Sequence, residues 1–164
     1  MALVIALLGA EFTGKTSLAQ ALALRLVGRG LRAVAVPEYL RQWCDTQGRM
    51  PHAHEQLHIA HTQHQRIEQA QNKAQVVVAD TSALMTAVYS EHYFADPSLY
   101  PWALAQQRRY TSTLLMGLDL PWTTGDWQRE GPVVREHTDA LLRTALHSAG
   151  LGYTSVYGAG EQRL

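Results

Sequence analysis

The sequence contains one cysteine and carries no net charge. Cys44 is the only cysteine in 164 residues, which excludes an intramolecular disulfide and a metal cluster held by several cysteine thiolates. The 14 Lys and Arg residues balance 14 Asp and Glu residues, and they are scattered, so no long-range field attracts nucleic acid or an anionic membrane. These features favour a globular cytoplasmic protein without a nucleic-acid partner.

Long apolar runs are absent as well. The apolar residues 1–8 at the start of the chain are too few to span a membrane. They also lack the basic segment and the small-residue cleavage site of a signal peptide, and they lead directly into a glycine-containing loop. We therefore predict a buried strand in this segment, with neither a membrane partner nor a leader.

Short apolar runs alternate with helical patterns along the chain. The runs that predict strands are residues 2–8, 33–36, 75–79, 112–118 and 153–157. The patterns that predict helices are residues 15–27, 39–45, 51–73, 100–110 and 133–149. This alternation predicts one domain over residues 1–164, with a three-layer α/β/α fold in which helices cover both faces of a five-stranded parallel sheet.

A phosphate-binding pattern lies between the first predicted strand and the first predicted helix. Residues 9–16 match G-x-x-x-x-G-K-[ST], the P-loop or Walker A motif. In this motif the backbone turns its N–H groups toward phosphate oxygens, and the following helix adds the positive end of its dipole. We therefore predict a P-loop NTPase fold that binds a nucleoside triphosphate, with ATP favoured. The predicted phosphate-binding residues are Gly9, Ala10, Glu11, Phe12, Thr13, Gly14, Lys15, Thr16 and Ser17.

Three side chains are candidates for chemistry at the phosphates. Lys15 is expected to place its charge on the β- and γ-phosphates and to be exposed to the ligand rather than to the core. Thr16 can ligate Mg²⁺ through its hydroxyl. Asp80 follows the apolar residues 76–79, where a carboxylate can hold the metal or its water. Asp80 could instead only cap a helix, but beside a P-loop we favour the metal role.

Glu38 ends the second predicted strand. Ligands of open α/β sheets bind outside the carboxyl ends of the strands, so Glu38 should face the γ-phosphate and accept the proton of an acceptor hydroxyl. The alternative is that Glu38 only adds favourable charge to the start of the helix that follows. We favour the general base, and Lys15, Glu38 and Asp80 are therefore candidate catalytic residues.

A polar, glycine-containing segment at about residues 123–135 is typical of a mobile lid. Arg129 and Arg135 lie in it, and lid arginines can neutralise the charge of a transferred phosphoryl group. Arginines in a polar loop are more commonly solvated surface. The pattern alone therefore favours a solvated surface for Arg129 and Arg135, with a catalytic lid as the alternative.

Several histidines follow helical spacing in the third predicted helix. They are His54, His58, His61 and His64. No acid is placed to complete a zinc site with them. A hydrated polar face of the helix is therefore the favoured interpretation.

Five short segments share the order of motifs found in one kinase family. They are the P-loop with Glu11 inside it, Glu-Tyr-Leu-Arg at residues 38–41, His-Gln-Arg at 64–66, Asp-Thr at 80–81, and a lid with Trp122, Asp126, Arg129 and Arg135. With these segments the chain resembles the NadR-like ribosylnicotinamide kinases, which belong to the P-loop nucleoside and nucleotide kinases. The resemblance extends over nearly the whole chain.

The resemblance implies a reaction, its cofactors and its binding residues. The γ-phosphate of ATP would pass to the ribose 5′-hydroxyl of nicotinamide riboside (NR), giving nicotinamide mononucleotide, with Mg²⁺ bound at Thr16 and Asp80. Gly158, in the loop after the fifth strand, would contact adenine. The resemblance also implies a lid in which Arg129 and Arg135 are catalytic and Arg129 binds the nucleotide. The implied acceptor-binding residues are Glu38, Tyr39, Arg41, Asp80 and Trp122.

The chain also departs from this family. Bifunctional relatives add an adenylyltransferase with a His-x-Gly-His motif, and some add a DNA-binding helix-turn-helix; neither pattern occurs here, so we expect a stand-alone kinase without repressor activity. Such folds continue with a helix after the loop that holds Gly158, and that helix is either missing here or packed differently. Two alternatives stay open, namely a kinase of deoxynucleosides, other nucleosides or nucleotides, and an ATP-dependent switch protein. A homo-oligomer is compatible with each.

Overall fold

A five-stranded sheet forms the centre of the computed structural model, which describes residues 2–10, 13–119, 131–158 and 164. The strands are β1 Leu3–Leu8, β2 Ala33–Val36, β3 Val76–Asp80, β4 Ser112–Met116 and β5 Thr154–Val156. They pair in the order β2-β3-β1-β4-β5, and every pairing is parallel. The predicted five-stranded parallel sheet is therefore confirmed.

Helices connect successive strands and cover the sheet. They are α1 Lys15–Gly28, α2 Tyr39–Gln47, α3 Gln56–Gln71, α4 Ala83–Phe94, α5 Tyr100–Arg108 and α6 Pro132–Ser148, with a 3₁₀ turn at Ala53–Glu55 before α3. Leu18, Ala19 and Ala23 of α1 pack on one face of the sheet, against a group of strand residues that includes Leu7 and Val78. The other helices lie on the opposite face. The predicted three-layer α/β/α arrangement is confirmed.

Helix α4 was not predicted from the sequence. Its residues 83–90 are all buried, so it has no polar face and no amphipathic periodicity that could reveal it. The one local signal is Ser82, whose side chain caps the helix by accepting a hydrogen bond from the Leu84 N–H. No helix in the described ranges is long and apolar enough to cross a bilayer.

Strand β4 ends at Met116 rather than at residue 118, and Gly117, which follows it, lies close to the end of β5. Gly117 donates its N–H to the Val156 carbonyl at 2.7 Å. A Cβ atom on Gly117 would lie 2.3 Å from the Tyr157 ring, so only glycine fits there. The chain then turns toward Asp119, which lies beside the loop that follows β5.

Candidate nucleotide site

The loop between β1 and α1 is a tight turn that requires its glycines. A Cβ atom on Gly9 would lie 2.9 Å from both the Met116 Cβ and the Thr13 Oγ1, so the close packing excludes a side chain there. Gly14 precedes α1 with a φ of 83°, a left-handed conformation that glycine adopts without strain. Thr13 closes the turn by donating its hydroxyl to the Ala10 carbonyl at 2.7 Å.

Lys15 is covered by the phosphate loop and belongs to none of the apolar clusters of the core, so its predicted exposure to a ligand stays a prediction. The residue is only 8% exposed. Its ammonium donates to the Gly9 carbonyl at 2.8 Å and to the Ala10 carbonyl at 3.2 Å, because the tight loop brings these two oxygens back over the start of α1. The positive charge is therefore held at the loop, at the place where the motif predicts phosphate.

Thr16 and Asp80 meet because β3 is the direct neighbour of β1. Leu7 and Asp80 are register partners at the ends of these strands. The Thr16 hydroxyl donates to Asp80 Oδ2 at 2.6 Å. Asp80 is 3% exposed, and its Oδ1 has no hydrogen-bond partner among the described residues. A hydroxyl and a buried carboxylate oxygen are the ligand types that Mg²⁺ prefers, so this donor set fits the metal. Ser17 follows in the first turn of α1, with an exposed side chain.

Thr81, next to Asp80, has an unusual backbone conformation. Its φ is 79°, in the left-handed region, which costs an L-residue roughly 1–2 kcal/mol. Its N–H donates to the Leu7 carbonyl at 3.0 Å. Its hydroxyl is buried and has no partner in the described part of the chain. Such strain concentrates at functional sites.

Glu38, Tyr39 and Arg41 lie at the same edge of the sheet as Asp80. Val36 of β2 pairs with Ala79 of β3, so the two strands deliver Glu38 and Asp80 side by side, as predicted. The Glu38 side chain is mostly buried, with its Oε1 4.0 Å from Arg41 Nε. The Tyr39 ring packs against the guanidinium of Arg66, 4.5 Å from its centroid.

Gln63 joins the turn around Glu38, a contact that no motif predicts. Its Oε1 accepts a hydrogen bond from the Tyr39 N–H at 2.7 Å, and its Nε2 donates to the Pro37 carbonyl at 3.3 Å. Gln63 is 1% exposed and lies between Ile59 and Ile67, which are also buried. A glutamine inside an apolar helical stripe is the sequence signal that could have identified it.

Arg135 does not lie in a solvated loop. It is in the first turn of α6, which begins at Pro132, and it is 6% exposed. Its Nε and Nη2 have no partner within the described ranges. Burial lowers the pKa of this guanidinium, while the nearby Asp119, Asp139 and Glu136 act in the opposite direction. The surface interpretation is therefore wrong for Arg135, and the predicted lid overlaps the start of a helix.

Gly158 is tied to the end of β4. Its N–H donates to Asp119 Oδ2 at 2.6 Å. This contact places the loop after β5 beside the chain that leaves β4, at the carboxyl edge of the sheet. The other predicted site residues lie outside the described residues and stay predictions; they are Glu11, Phe12, Trp122, Asp126 and Arg129.

Three of the four histidines are exposed, as a polar face predicts, namely His54, His58 and His61, whereas His64 is not. His64 is buried, its Nδ1 lies 2.9 Å from the Tyr110 hydroxyl, and its Nε2 lies 3.2 Å from Glu68 Oε1. Burial lowers the pKa of the His64 imidazole, against the opposing effect of Glu68. His61 packs on the ring of Trp102. A hydrated polar face is therefore the wrong description for His64.

Solved structures share this fold over nearly the whole chain. NadR protein in complex with NR superposes with a TM-score of 0.77 at 22% identity, covering 99% of this chain and 46% of that one. NadR in complex with NAD and AMP-PNP gives 0.73 at 19%, covering 98% and 45%. Thymidylate kinase from Ehrlichia chaffeensis gives 0.66 at 14%, covering 98% and 89%. The chain thus spans about half the length of the NadR chains, and its likeness to their fold is confirmed.

The amino-acid sequence matches a family model but no individual curated protein. No curated protein matches the chain significantly. A family model described as AAA domain matches residues 4–163, from β1 beyond the described end of the loop after β5. That match includes the phosphate loop, Glu38, Asp80 and Arg135. The chain belongs to the AAA domain family, and it has the fold of P-loop kinases.

Proposed function

We propose that the protein is an ATP-dependent kinase that transfers the γ-phosphate to the ribose 5′-hydroxyl of nicotinamide riboside, giving nicotinamide mononucleotide. The observation that carries the proposal is the placement of two carboxylates with separate environments beside the phosphate loop. Asp80 is bonded to Thr16 of that loop, and Glu38 follows the neighbouring strand. The fold likeness to a NadR protein that was solved with NR supports this acceptor.

The phosphate loop would bind the triphosphate through its backbone N–H groups and through Lys15. The ammonium already lies at the loop, held by the Gly9 and Ala10 carbonyls. On binding it would exchange these two oxygens for β- and γ-phosphate oxygens, which carry full negative charge. Gly158, held by Asp119, would contact the adenine ring.

Thr16 and Asp80 would hold Mg²⁺, which when bound neutralises charge on the β- and γ-phosphates. The hydrogen bond between the two residues prepares this role. Because the Thr16 hydroxyl donates its hydrogen bond to Asp80 Oδ2, the lone pairs of the Thr16 oxygen stay available to a cation. Asp80 Oδ1, which has no hydrogen-bond partner among the described residues, would be a second oxygen ligand for the metal.

Glu38 would act as the general base. Its carboxylate accepts the proton of the 5′-hydroxyl while that oxygen forms its bond to the γ-phosphorus, and the bond from the γ-phosphorus to the bridging oxygen of ADP breaks. Arg135 and Arg129 would neutralise charge on the transferred group. Tyr39, Arg41 and Trp122 would hold the acceptor.

The proposed reaction also suggests the compartment and the partners of the protein. A kinase of this kind works on small molecules in the cytoplasm, without a nucleic-acid or membrane partner. The nearly neutral composition agrees with this. Residues 1–164 would form a single kinase domain, for which a homo-oligomer is possible.

The acceptor can be identified directly. The purified chain is incubated with ATP, Mg²⁺ and separate nucleosides or nucleotides, including nicotinamide riboside and thymidylate, and phosphorylated products are identified by mass spectrometry. Nicotinamide mononucleotide should form, and the Lys15→Ala variant should form none. Phosphorylation of a deoxynucleoside or nucleotide instead would replace the acceptor, and ATP hydrolysis without any phosphorylated product would favour the switch protein.

The two carboxylates can be told apart by a magnesium titration. Glu38→Gln keeps the shape and removes the proton acceptor, so kcat should fall about 10²- to 10⁴-fold at every Mg²⁺ concentration. Asp80→Asn should instead raise the Mg²⁺ concentration that gives half-maximal rate. Rescue of Glu38→Gln by high Mg²⁺, with no rescue of Asp80→Asn, would show that the two roles are reversed.

A further inference from the structure

We propose that Gln63 is a positioning residue for Glu38, whose side-chain amide fixes the backbone on both sides of the base and so directs its carboxylate. This inference rests on the proposed role of Glu38 in phosphoryl transfer. The key geometry is that one planar amide bonds to the residue before Glu38 and to the residue after it. Oε1 of Gln63 accepts from the Tyr39 N–H at 2.7 Å, and Nε2 donates to the Pro37 carbonyl at 3.3 Å.

Gln63 does for α2 what a capping side chain does for other helices. The first N–H groups of a helix have no acceptor within the helix, and a Ser, Thr, Asp or Asn side chain at the N-cap position commonly supplies one for the second or third residue. Glu38 occupies the N-cap position of α2, yet its side chain makes no capping hydrogen bond. Gln63 accepts the N–H of Tyr39, the first residue of α2, which a side chain at the N-cap position does not normally reach. The start of α2 is therefore held by α3 and not by the Glu38 side chain.

We call the two hydrogen bonds of Gln63 to Pro37 and Tyr39 the clamp. The position of β2 explains why this clamp is useful. Among the described strands, β2 is at the edge of the sheet and pairs with β3 alone. The turn that carries Glu38 from β2 into α2 therefore has sheet support on one side only. Helix α3 packs against both β2 and α2, and Gln63 is the described α3 residue that bonds to the backbone of this turn.

Burial shows that Gln63 is not there for packing alone. It is 1% exposed and lies one helical turn from Ile59 and from Ile67, so an apolar side chain would suit the site. Burying a polar amide among apolar neighbours is unfavourable unless its hydrogen bonds are made. Both are made here, and both go to the turn around Glu38. The consequence is a base held in one direction, and small displacements of catalytic groups can cost about 10²-fold in rate.

The test compares two buried glutamines that each bridge two partners. Gln63→Met keeps an unbranched side chain of similar length but loses both hydrogen bonds. Gln107→Met is the matched control, because Gln107 is 2% exposed, accepts from the Ser82 hydroxyl at 2.7 Å and donates to the Thr113 hydroxyl at 2.8 Å. The two variants should lose similar thermal stability. Only Gln63→Met should lower kcat, by about tenfold or more, with the KM for ATP unchanged.

Combination with Glu38→Gln shows whether Gln63 acts through the base. In the Glu38→Gln background, Gln63→Met should lower kcat little further, because there is no longer a base to position. A purely structural role would instead lower kcat by the same factor in both backgrounds. Equal factors, or a loss in Gln107→Met as large as that in Gln63→Met, would overturn the proposal.

Amide hydrogen exchange tests the clamp without any enzymatic activity. Exchange at the Tyr39 N–H should become faster in Gln63→Met and stay unchanged in Gln107→Met. Unchanged exchange in Gln63→Met would refute the clamp even if the chain is an active kinase. A wild-type chain that phosphorylates no nucleoside refutes the proposed function and the catalytic part of this inference, whereas faster exchange in that case still supports the clamp itself.

Discussion

Replacing Thr81 by valine should make the protein more stable. The two side chains have nearly the same shape and are both branched at Cβ, so the strain of a φ of 79° is common to both and cancels. The difference is the hydroxyl, which is buried and has no hydrogen-bond partner in the part of the chain that the structure describes. A buried hydroxyl without a partner costs about 1–3 kcal/mol in proteins. Thr81→Val should recover at least the lower part of this range.

Thermal and urea unfolding measure the effect of Thr81→Val. For a chain of this size, 1 kcal/mol corresponds to roughly 2–4 °C in Tm, so a rise of about 3 °C or more is expected. In urea the midpoint should rise while the slope of the unfolding free energy stays constant. Both measurements are made on the protein without nucleotide, so that binding does not contribute.

Thr113→Val is the matched control for this prediction. Thr113 is also a buried threonine, but its hydroxyl accepts a hydrogen bond from Gln107 Nε2 at 2.8 Å. Removing that acceptor leaves a buried amide unpaired, which should lower stability by about 1–3 kcal/mol. Opposite signs for the two valine variants are therefore expected. A fall in Tm for Thr81→Val would refute the reasoning, since it would mean that the Thr81 hydroxyl has a partner.

Three further predictions follow from the site and its surroundings. Lys15→Ala should abolish phosphoryl transfer and the rise of Tm on adding ATP, and full activity would contradict the phosphate-loop assignment. Arg135→Ala and Arg129→Ala should lower kcat on the order of 10²-fold for at least one of them while affecting ATP binding much less, as kinetics would show. Burial lowers the pKa of His64 in the folded protein from its ordinary value of 6.5. As the pH falls, the unfolded chain therefore binds a proton at His64 at a higher pH than the folded chain does. Stability should therefore be unaffected above about pH 7 and fall as the pH drops below about 6.5 toward the lower pKa of the folded state. His64→Gln should flatten this fall in a series of Tm measurements, and an unchanged slope would exclude His64 as its cause.

The sheet and the phosphate loop were predictable because their signals are local. An apolar run before G-x-x-x-x-G-K-[ST] predicted β1, and apolar runs that end in Glu38 and Asp80 predicted their place at one edge. Parallel pairing then brings strand ends together whatever the details of packing. Helix α4 had no such signal, because a helix buried on all sides lacks a polar face. Strand β4 is two residues shorter than predicted, and the approach of Tyr157 to Gly117 just after it is a contact between distant parts of the chain that no local pattern records.

Individual side chains at the site were harder to predict than the site itself. The sequence pattern marks Lys15 as a phosphate ligand, but its burial depends on carbonyl groups that only the folded loop brings near. Arg135 was placed where the predicted lid and the predicted helix at 133–149 overlap, and the structure assigns it to the helix, but no local pattern indicates that its guanidinium is buried. Gln63 bonds to a turn 24 residues away in the sequence, and no local pattern records such a contact.

The central position of β1 has a consequence for how the chain folds. Strand β1 is far in sequence from both of its partners, because Leu3 pairs with Val76 and Ile5 pairs with Ser112. Both edges of this apolar strand therefore stay unpaired until two long loops of the chain have closed. Closure of such loops slows folding, and unpaired strand edges promote aggregation. We expect refolding of this protein to be limited by the assembly of β1 between β3 and β4, long after its helices can form.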